Sequence, residues 1–547
     1  MKKYLIFLIS LTSFLTTWAQ ETQKQLKLIS TDFTLHNDHE IPGATILSGN
    51  VEFEHDGARI FGNKVYYFQK EQYIKVFGNV RIIQGDSINL VGNYAEYNAK
   101  DKLAFIADQV KLRSKESTLV TDTLFYNRNI QQAYYNSKGV IHSENNVLTS
   151  DKGTYDVTQK KFTFRSKVEI KNPTTKLVTN HLDYFESSGH AYVYGKTWIH
   201  KSNGDKLYTE NGFYDTKNNK STLRKNPIIY QKNNIIEAEE LDYDEKKGYA
   251  RASNNIKITD TVNNFIVSGH YGEVFREKDS MYITKKALAK YLVEQDTVYL
   301  HAKILNIVGP EGKRIFKGYN DARFFKSDMS GKSDSIVSIQ EEGITKFLKR
   351  PVFWSNNSQI TGDKIFLLAD STKKQLDSLK VLNNAFIIQK DTLSTGYNQM
   401  KGVNLYGKFK DKKINIIDLV KNTESIYYLY DKLSLIGIEK GVCSRIRLII
   451  ENNEIVSITR YDNPDSYIYP EKDFPENARL FRGFLWRGDE EIKSLDDLFP
   501  ESELNEDEIA RKKKSAIDLS NENPMEILKE TLLLNNPDSK SNKKNKK

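Results

Sequence analysis

The chain has 547 residues, of which 11% are aromatic and 28% charged, and a formal net charge of +9. Seven of its lysines lie in the first three and the last eight residues, so the rest of the chain is close to neutral. Nucleic acid is therefore a poor candidate ligand, because affinity for it depends on clustered basic charge. The single cysteine, Cys443, excludes an intramolecular disulfide and a cysteine-ligated metal cluster.

Residues 1–19 have the pattern of a secretory signal peptide that is cleaved after Ala19. Lys2 and Lys3 precede a short apolar run, and polar residues follow the small residue Ala19. The run is too short and wrongly flanked for a membrane span, although an uncleaved N-terminal anchor is the alternative interpretation. No later stretch approaches the roughly eighteen consecutive apolar residues of a spanning helix. The mature protein is therefore expected outside the cytoplasm, in solution or peripherally associated with a membrane.

Between Gly49 and Val274, three columns of similar residues recur in register every 29–31 positions. The first is a column of tyrosines that ends in a valine: Tyr67, Tyr97, Tyr126, Tyr155, Tyr184, Tyr214, Tyr243 and Val274. Five residues before each member stands a small residue: Gly62, Gly92, Thr121, Ser150, Thr179, Thr209, Ala238 and Gly269. Two residues further back stands an aliphatic one: Ile60, Leu90, Leu119, Leu148, Leu177, Leu207, Ile236 and Val267. Self-similarity at a period of roughly 20–50 residues is typical of a stacked repeat architecture.

Each repeat is predicted to consist of two or three sharply bent strands with one apolar face. The aliphatic and small positions are two residues apart and share one face of a strand. The tyrosine comes five residues after the small position, so in a regular strand it would point to the opposite face. It lies on the same face only if the alternation of side chains shifts by one residue. This shift predicts a bulge or corner at mostly polar residues: Asn63, Asn93, Asp122, Asp151, Asn180, Glu210, Glu239 and His270. An upstream strand contributes a second inward column: Val51, Val80, Val110, Val140, Val168, Ile228 and Ile256. Such a unit cannot bury its apolar face alone, so the units must stack.

The composition divides the rest of the chain into further segments. Residues 20–280 contain eight clear repeats, and residues 281–460 are expected to contain degenerate ones. Residues 461–500 are punctuated by prolines and are expected to cap the open end of the stack, because terminal repeats need a different outer face. Residues 501–547 are strongly charged and are expected to form a helical, then disordered, tail.

One repeat, Phe77-Gly78-Asn79-Val80 followed by Leu90-Val91-Gly92-Asn93-Tyr94-Ala95-Glu96-Tyr97, resembles the repeat of the OstA-like family. This family includes the periplasmic lipopolysaccharide transport protein LptA and the N-terminal domain of its outer-membrane partner. The resemblance covers residues 28–400 and extends more weakly to 460, with more repeats than the short members of the family have. It implies an all-β, elongated and folded-over β-jellyroll, a solenoid-like stack of repeats, with a short irregular or helical C-terminal extension.

The resemblance also implies a function, namely the binding and transport of lipopolysaccharide in the periplasm during outer-membrane assembly. The acyl chains of lipid A would lie in an apolar groove between the two sheet halves, and the sugars would stay in water. Lipopolysaccharide is thus the expected ligand. Other transport-bridge proteins, or a second copy of the chain, are expected partners through pairing of exposed edge strands. The expected location is the periplasm, with association with the outer membrane as a further option.

The groove implied by the resemblance would be lined by the two inward columns. The predicted lining residues are Val51, Ile60, Val80, Leu90, Val110, Leu119, Val140, Leu148, Val168, Leu177, Leu207, Ile228, Ile236, Ile256 and Val267. Small residues such as Gly62 and Gly92 would keep the groove wide enough for hydrocarbon. The alternation alone does not decide between an open groove and a packed core, because both have the same pattern.

Catalytic and metal-binding residues are not predicted, and no cofactor is expected. The nine histidines are scattered singly, and His36 and His39, three residues apart, have no apparent third ligand. No P-loop, nucleophile elbow or dinucleotide fingerprint is present in the sequence. The alternative to lipid transport is therefore a structural or adhesive surface β-solenoid with a dry core. A polysaccharide-active β-helix is a weaker alternative, since the sequence shows no carboxylate cluster for it.

Overall fold

The computed structural model describes residues 25–509, except residues 38, 87, 263–264, 294–295, 311, 356, 371–374, 412, 453 and 506–507. The predicted signal peptide lies outside the described residues. So does the predicted charged tail beyond residue 509.

The chain forms two compact units built from antiparallel strands. Unit 1 takes in Met1–Lys232 and Asp242–Lys246, and unit 2 takes in Asn233–Leu241 and Lys247–Lys547. The strands of unit 1 are β1 (Lys27–Ser30), β2 (Phe33–His36), β3 (Thr45–His55), β4 (Ala58–Phe68), β5 (Tyr73–Gln84), β6 (Ile88–Asn98), β7 (Leu103–Arg113), β8 (Ser117–Asn127), β9 (Gln132–Tyr135), β10 (Gly139–Ser143), β11 (Asn146–Ser150), β12 (Lys152–Asp156), β13 (Lys161–Lys171), β14 (Thr175–Phe185), β15 (His190–Lys201), β16 (Lys206–Asp215), β17 (Lys220–Arg224) and β18 (Ile228–Gln231).

The strands of unit 2 begin with β19 (Asn234–Glu237), and β20 (Glu240–Asp244) has residues in both units. The others are β21 (Tyr249–Asp260), β22 (Phe265–Phe275), β23 (Ser280–Thr284), β24 (Leu288–Val293), β25 (Asp296–His301), β26 (Ile304–Val308), β27 (Ile315–Lys326), β28 (Met329–Ile339), β29 (Ile344–Leu348), β30 (Val352–Ser355), β31 (Ser358–Thr361), β32 (Lys364–Ala369), β33 (Leu376–Lys390), β34 (Tyr397–Lys410), β35 (Lys413–Asp431), β36 (Ser434–Glu451), β37 (Glu454–Tyr461) and β38 (Asp465–Tyr469). Short 3-10 helices lie at Arg276–Lys278, Glu471–Asp473, Glu476–Ala478, Gly488–Glu490, Leu495–Asp497 and Glu501–Glu503.

Strand formation follows the alternation of apolar and polar residues in the sequence. In β6, Ile88, Leu90, Ala95 and Tyr97 are buried, and Asn93 between the two pairs is exposed. One face of each such strand is therefore buried inside its unit. The elements in the described residues are strands and 3-10 helices, so the predicted all-β class is confirmed there. Within those residues, no helix is long and apolar enough to cross a membrane.

The predicted corner is present in successive strands of unit 1, where two residues of one strand lie opposite one residue of the next. In β3, Gly49 and Asn50 lie opposite Asn63 of β4, and both have positive φ angles. The arrangement returns at Asp108–Gln109 in β7 and at Ser166–Lys167 in β13. On the opposite strand β4, Gly62 and Val65 are both buried although they are three residues apart. The predicted parity shift is therefore confirmed at Asn63, opposite the extra residue.

Residues 461–500 are predicted to cap the open end of the stack, and the structure gives most of them a different place. After β38 the chain runs back across unit 2, contacting first Gln399, then Gln359 and finally Lys286. We call residues 474–505 the strap. With the strap in this position, β30 and the part of β33 at 385–388 are buried on both faces.

Candidate functional site: the apolar interior and its tyrosine seam

The predicted lining residues lie almost entirely inside the two units. Thirteen of the fifteen are at most 2% exposed: Val51, Ile60, Val80, Leu90, Val110, Leu119, Leu148, Val168, Leu177, Leu207, Ile236, Ile256 and Val267. The last three belong to unit 2 and the others to unit 1. Such low exposure means that other protein atoms surround these side chains, so the interior of each unit is packed rather than open.

Val140 and Ile228 are the two exceptions, and their predicted inward orientation is wrong. Both are half-buried, whereas the isoleucine that follows each of them is at most 1% exposed. In the other units, the valine or isoleucine of this column directly follows the corner. Here Gly139 and Pro227 follow the corner and are buried. Val140 and Ile228 therefore come second after the corner, on the opposite face of the strand.

The small residues hold neighbouring strands close together rather than widening a groove. A Cβ atom at Gly92 would lie 2.6 Å from Cγ2 of Ile106 and 3.2 Å from the carbonyl oxygen of Ala107 on the next strand. A Cβ atom at Gly62 would clash in the same way with Cγ1 of Val76. The space between the columns is thus filled by side chains. The predicted role of these glycines as spacers of an open groove is wrong for this packed interior.

The corners divide the sheet of unit 1 into two halves, so that β10 pairs with β8 before its corner and β9 pairs with β8 after it. The tyrosine column lies along the edge at which side chains of the two halves meet. We call this row the tyrosine seam, and its members are Tyr97, Tyr126, Tyr155, Tyr184, Tyr214 and Tyr243. All six side chains are buried. Five of their hydroxyls lie within hydrogen-bond distance of a side chain 38–42 residues earlier, namely His55, Gln84, Ser143, Thr175 and Asp205. Since these partners lie at or next to strand ends, the bonds join the two halves at the rim of the interior.

Tyr97 lies at a densely bonded point of the tyrosine seam. Its hydroxyl is 2.7 Å from Nδ1 of His55 and accepts a 2.8 Å hydrogen bond from the guanidinium of Arg128. Arg128 is buried and also donates to the backbone carbonyls of His55 and Asp56, at 3.1 and 2.9 Å. Burial raises the pKa of the Tyr97 hydroxyl, although Arg128 acts in the opposite direction. The hydroxyl is therefore protonated at neutral pH and serves as a neutral link across the seam.

Glu186 places a carboxylate inside the tyrosine seam, where it is 2% exposed. It accepts hydrogen bonds of 2.9 Å from both the Ser114 and the Tyr155 hydroxyls, and a further one from Ser117. Three donors thus replace the water that the carboxylate loses on burial. Burial, together with the negative charge of Glu186, raises the pKa of the Tyr155 hydroxyl, which remains a donor.

Lys201 and Glu245 form an ion pair in the tyrosine seam. The Lys201 side chain is 0% exposed, and its Nζ lies 2.8 Å from the carboxylate of Glu245. The same ammonium is 3.1 Å from Oγ1 of Thr175 and 3.3 Å from the hydroxyl of Tyr214, and it lies 4.4 Å from the centre of the Tyr214 ring. Removing one member of such a pair leaves the other charge buried without compensation, which is costly.

The polar partners of the tyrosine seam are not predicted from the sequence. His55 appears there only as one of the scattered histidines, and Arg128, Glu186 and Lys201 do not recur from repeat to repeat. A sequence signal does exist, since a polar residue at or next to a strand end stands 38–42 positions before five of the six tyrosines. Recognising it requires knowledge of how the strands fold over each other.

Metal chemistry has no support in the part of the chain that the structure describes. No group of three or more His, Cys, Asp or Glu side chains suited to a metal ion is found there. Cys443 is a buried free cysteine on β36. The interior thus offers apolar contact, and the seam offers hydrogen bonds and ion pairing.

Comparison with known proteins bears on the N-terminal part of the chain. Residues 23–180 match the family model described as OstA-like protein. Among solved structures, a similar one is the crystal structure of LptH from Pseudomonas aeruginosa, described as the LptA homologous periplasmic component of the conserved lipopolysaccharide transport device. It is 14% identical, with 26% of this chain and 99% of that chain covered and a TM-score of 0.20. No curated protein matches the chain. The match over residues 23–180 confirms the resemblance to the OstA-like family that the repeated motif indicates there.

Proposed function

We propose that the chain is a periplasmic, non-catalytic OstA-like protein that binds lipopolysaccharide through its acyl chains and takes part in outer-membrane assembly. The observation that carries the proposal is the apolar interior that continues from repeat to repeat through the OstA-like residues 23–180. Hydrocarbon burial contributes about 25 cal/mol per Å², so an acyl chain requires a long apolar lining. The proposed lining in unit 1 consists of the buried columns that start at Val51 and Ile60.

Lipid entry requires the two sheet halves of unit 1 to separate, because their own side chains fill the interior. Opening one repeat would expose roughly three side chains of valine or leucine size, at a cost of roughly 5–9 kcal/mol. An acyl chain inserted between them would restore most of that burial, while the sugars stay outside. The tyrosine seam is the proposed place of opening, at its neutral bonds from Tyr126 to Gln84 and from Tyr184 to Ser143, because each contributes only about 1 kcal/mol. The backbone ladder would remain intact.

Exposed strands at the start of the described residues support an association with other proteins. β1 and β2 expose four apolar side chains, of which Phe33 is 73% and Leu35 is 53% exposed. Exposed apolar strands readily pair with a strand of another chain. We therefore include among the partners another component of a transport bridge, or a second copy of this chain.

A structural or adhesive β-solenoid with a dry core is the second candidate function. The observation that favours it is the packing of the interior, where Leu90, Leu148 and Leu177 are 0% exposed. A sandwich packed in this way keeps its shape without a ligand and would suit a spacer at the cell surface. The two candidates differ in one property, which is whether the interior of unit 1 accepts hydrocarbon.

Site-specific photocrosslinking in cells that make lipopolysaccharide tests the proposal. A photoreactive residue replaces Leu119, Leu148 or Leu177 in turn, and the same residue at Lys111 or Lys115 is the outward control. Both lysines are exposed, whereas the three leucines are at most 1% exposed. Each variant is first compared with the wild type by thermal unfolding, so that only folded variants are used.

The proposal expects lipopolysaccharide adducts at the leucine positions and none at the lysine positions. Crosslinks that join the leucine positions only to the protein itself, in variants that unfold like the wild type, would favour the dry core. Adducts at the lysine positions alone would place the lipid on the outer surface and would also contradict the proposal.

A further inference from the structure

The strap is held on unit 2 by two buried glutamines that bond its backbone. Nε2 of Gln399 donates to the carbonyl of Arg479 at 2.7 Å, and its Oε1 accepts from the N–H of Phe481 at 3.0 Å. Gln359 makes the same pair of bonds further along the strap, at 2.7 and 2.6 Å. Both glutamines are 0% exposed. Each bonds one carbonyl and one N–H two residues apart, so each glutamine side chain fixes the strap backbone at one point.

Apolar anchors of the strap pack on the outer face of the sheet of unit 2. Ile388, Gln399 and Ile426 are register partners across β33, β34 and β35 and lie on this face. The strap residues Phe474 and Phe481, which are 3% and 6% exposed, belong to one cluster with five residues of the sheet: Phe386, Ile388, Ile426, Tyr428 and Ile438. Further along the strap, Ile492 and Leu498 are also buried.

The sheet beneath the strap is complete without it. β33 pairs with β31, β32 and β34, and β34 pairs with β35. Residues 474–505 take no part in these pairings, so the contacts described above are made by side chains of the sheet. The strap therefore lies on the sheet as an added layer, as a bound peptide does, and is not one of its strands.

The far part of the strap is acidic, and it contacts basic residues of unit 2. Nζ of Lys332 lies 2.9 Å from the Glu490 carboxylate, and the backbone N–H of Lys286 donates to the carboxylate of Glu503 at 3.1 Å. The guanidinium of Arg323 donates to a strap carbonyl, that of Asp497, at 2.8 Å. Charge complementarity thus supplements the apolar anchors and gives the strap a defined direction on the surface.

We infer that the outer face of unit 2 is a docking surface for an irregular peptide with aromatic anchors and an acidic end, and that the strap occupies it as a ligand from the same chain. Weakening the anchors of the strap would leave the face open. An added peptide with the sequence of the strap would then bind there. The inference is independent of the proposed lipid binding in unit 1.

The test uses the full chain with the substitutions Phe474→Ala and Phe481→Ala, which remove the two anchors and leave the face intact. The matched control is Leu480→Ala with Leu485→Ala, because these strap leucines are 49% and 57% exposed. Hydrogen exchange reports the protection of the strap amides. Fluorescence anisotropy reports binding of a fluorescein-labelled synthetic peptide of residues 474–505.

The expected result is fast exchange of the strap amides in the anchor variant and saturable binding of the peptide to it. Binding to the wild type and to the control should be at least about ten-fold weaker. Adding Gln359→Leu and Gln399→Leu to the anchor variant should abolish binding, and Gln389→Leu, a half-buried glutamine of β33, should not.

Three results would overturn the inference. One is a strap that stays protected even when the anchor and glutamine substitutions are combined. Another is a released strap without peptide binding. The third is loss of protection in β33–β35 together with the strap, because the strap would then be part of the fold and not a docked ligand.

Discussion

The hydroxyl of Tyr97 lies 2.7 Å from Nδ1 of His55, a residue 42 positions earlier in the chain, and both side chains are buried. The same relationship joins Tyr126 to Gln84, also 42 positions earlier. The nearly constant separation means that the apolar interior of unit 1 has a polar rim that follows the repeat. Any ligand that enters the interior from this edge has to pass that rim.

Substitution of Tyr97 by phenylalanine should destabilise unit 1 by about 1–3 kcal/mol. The change keeps the ring in the interior, but it removes a partner from Nδ1 of His55 and from the guanidinium of Arg128, both of which stay buried. Urea unfolding followed by circular dichroism measures the loss. Tyr134→Phe is the control, because Tyr134 is 45% exposed. Equal effects of the two substitutions would argue against a structural role of the seam.

The ion pair of Lys201 and Glu245 predicts strong coupling between two substitutions. Glu245→Gln alone should cost about 3 kcal/mol, because it leaves the ammonium of a side chain that is 0% exposed without its counter-charge. Lys201→Met alone should also destabilise unit 1. The double variant should lose less than the sum of the two, since it buries no uncompensated charge. Additive losses in a double-mutant cycle of urea unfolding would show that the pair is not coupled.

The packing at Gly92 predicts that even one added methyl group is unfavourable. Gly92→Ala should cost about 1–3 kcal/mol, because its Cβ would lie 2.6 Å from Cγ2 of Ile106. In an Ile106→Ala background, where that methyl group is absent, the same substitution should cost clearly less. Urea unfolding of the four proteins tests this. If Gly92→Ala were neutral in the wild-type background, the interior would have more room than the packed structure gives it.

The repeat and its corner could be predicted from the sequence because both depend on short-range pattern. Parity along a strand is local, so the shift at Asn63 and the burial of the tyrosines follow from the residues of one unit. The same locality explains the error at Val140. Val110 and Val168 stand eleven residues before the small residue of their repeat, whereas Val140 stands ten before Ser150. Gly139 is therefore the residue in register, and it takes the inward place after the corner. Glycine counts as neither apolar nor polar in such an alternation, so the pattern does not show which face it occupies.

The seam and the strap depend on contacts between distant residues, which a single sequence does not reveal. One local feature of the sequence is related to the strap. It is the continuous apolar run Ala385-Phe386-Ile387-Ile388 in the strand that the strap covers. In a strand with one face in water, apolar and polar residues alternate. An uninterrupted apolar run indicates instead that both faces of the strand are buried. The run therefore points to a second covering layer, although it does not identify residues 474–505 as that layer.

The orientation of β10 predicts a large effect of substitution at Ile141 and a small one at its neighbour Val140. Ile141→Thr should destabilise unit 1 by about 1–3 kcal/mol, since it places a hydroxyl in an interior where Ile141 is 0% exposed. Val140→Thr should change the free energy of unfolding by less than about 0.5 kcal/mol, because Val140 is half-buried on the other face. Urea unfolding of both variants measures the difference. A larger loss for Val140→Thr than for Ile141→Thr would mean that Val140 points inward, as predicted from the sequence.

Glu490 predicts that the attachment of the strap depends on pH. The hydrogen bonds and charge of Arg487, helped by Lys332, lower the pKa of the Glu490 carboxyl from 4.5 to about 2. A lowered pKa stabilises the folded state above the ordinary value of 4.5, and the contribution is lost as the pH falls from there towards 2. The effect should not exceed about 1 kcal/mol, because the Glu490 side chain is 37% exposed and solvent screens it.

Thermal unfolding of unit 2 at pH 6, 4 and 2.5 measures this pH dependence in the wild type and in Glu490→Gln. The wild type should be the more stable protein at pH 6, and the difference should shrink steadily towards pH 2.5, which lies well below the ordinary pKa of 4.5 and close to the lowered pKa of about 2. Glu476→Gln, at an exposed position of the strap, is the control and should show no such convergence. A difference between the wild type and Glu490→Gln that stayed constant over this range would mean that ionisation of Glu490 does not hold the strap, and that its contacts act through hydrogen bonding alone.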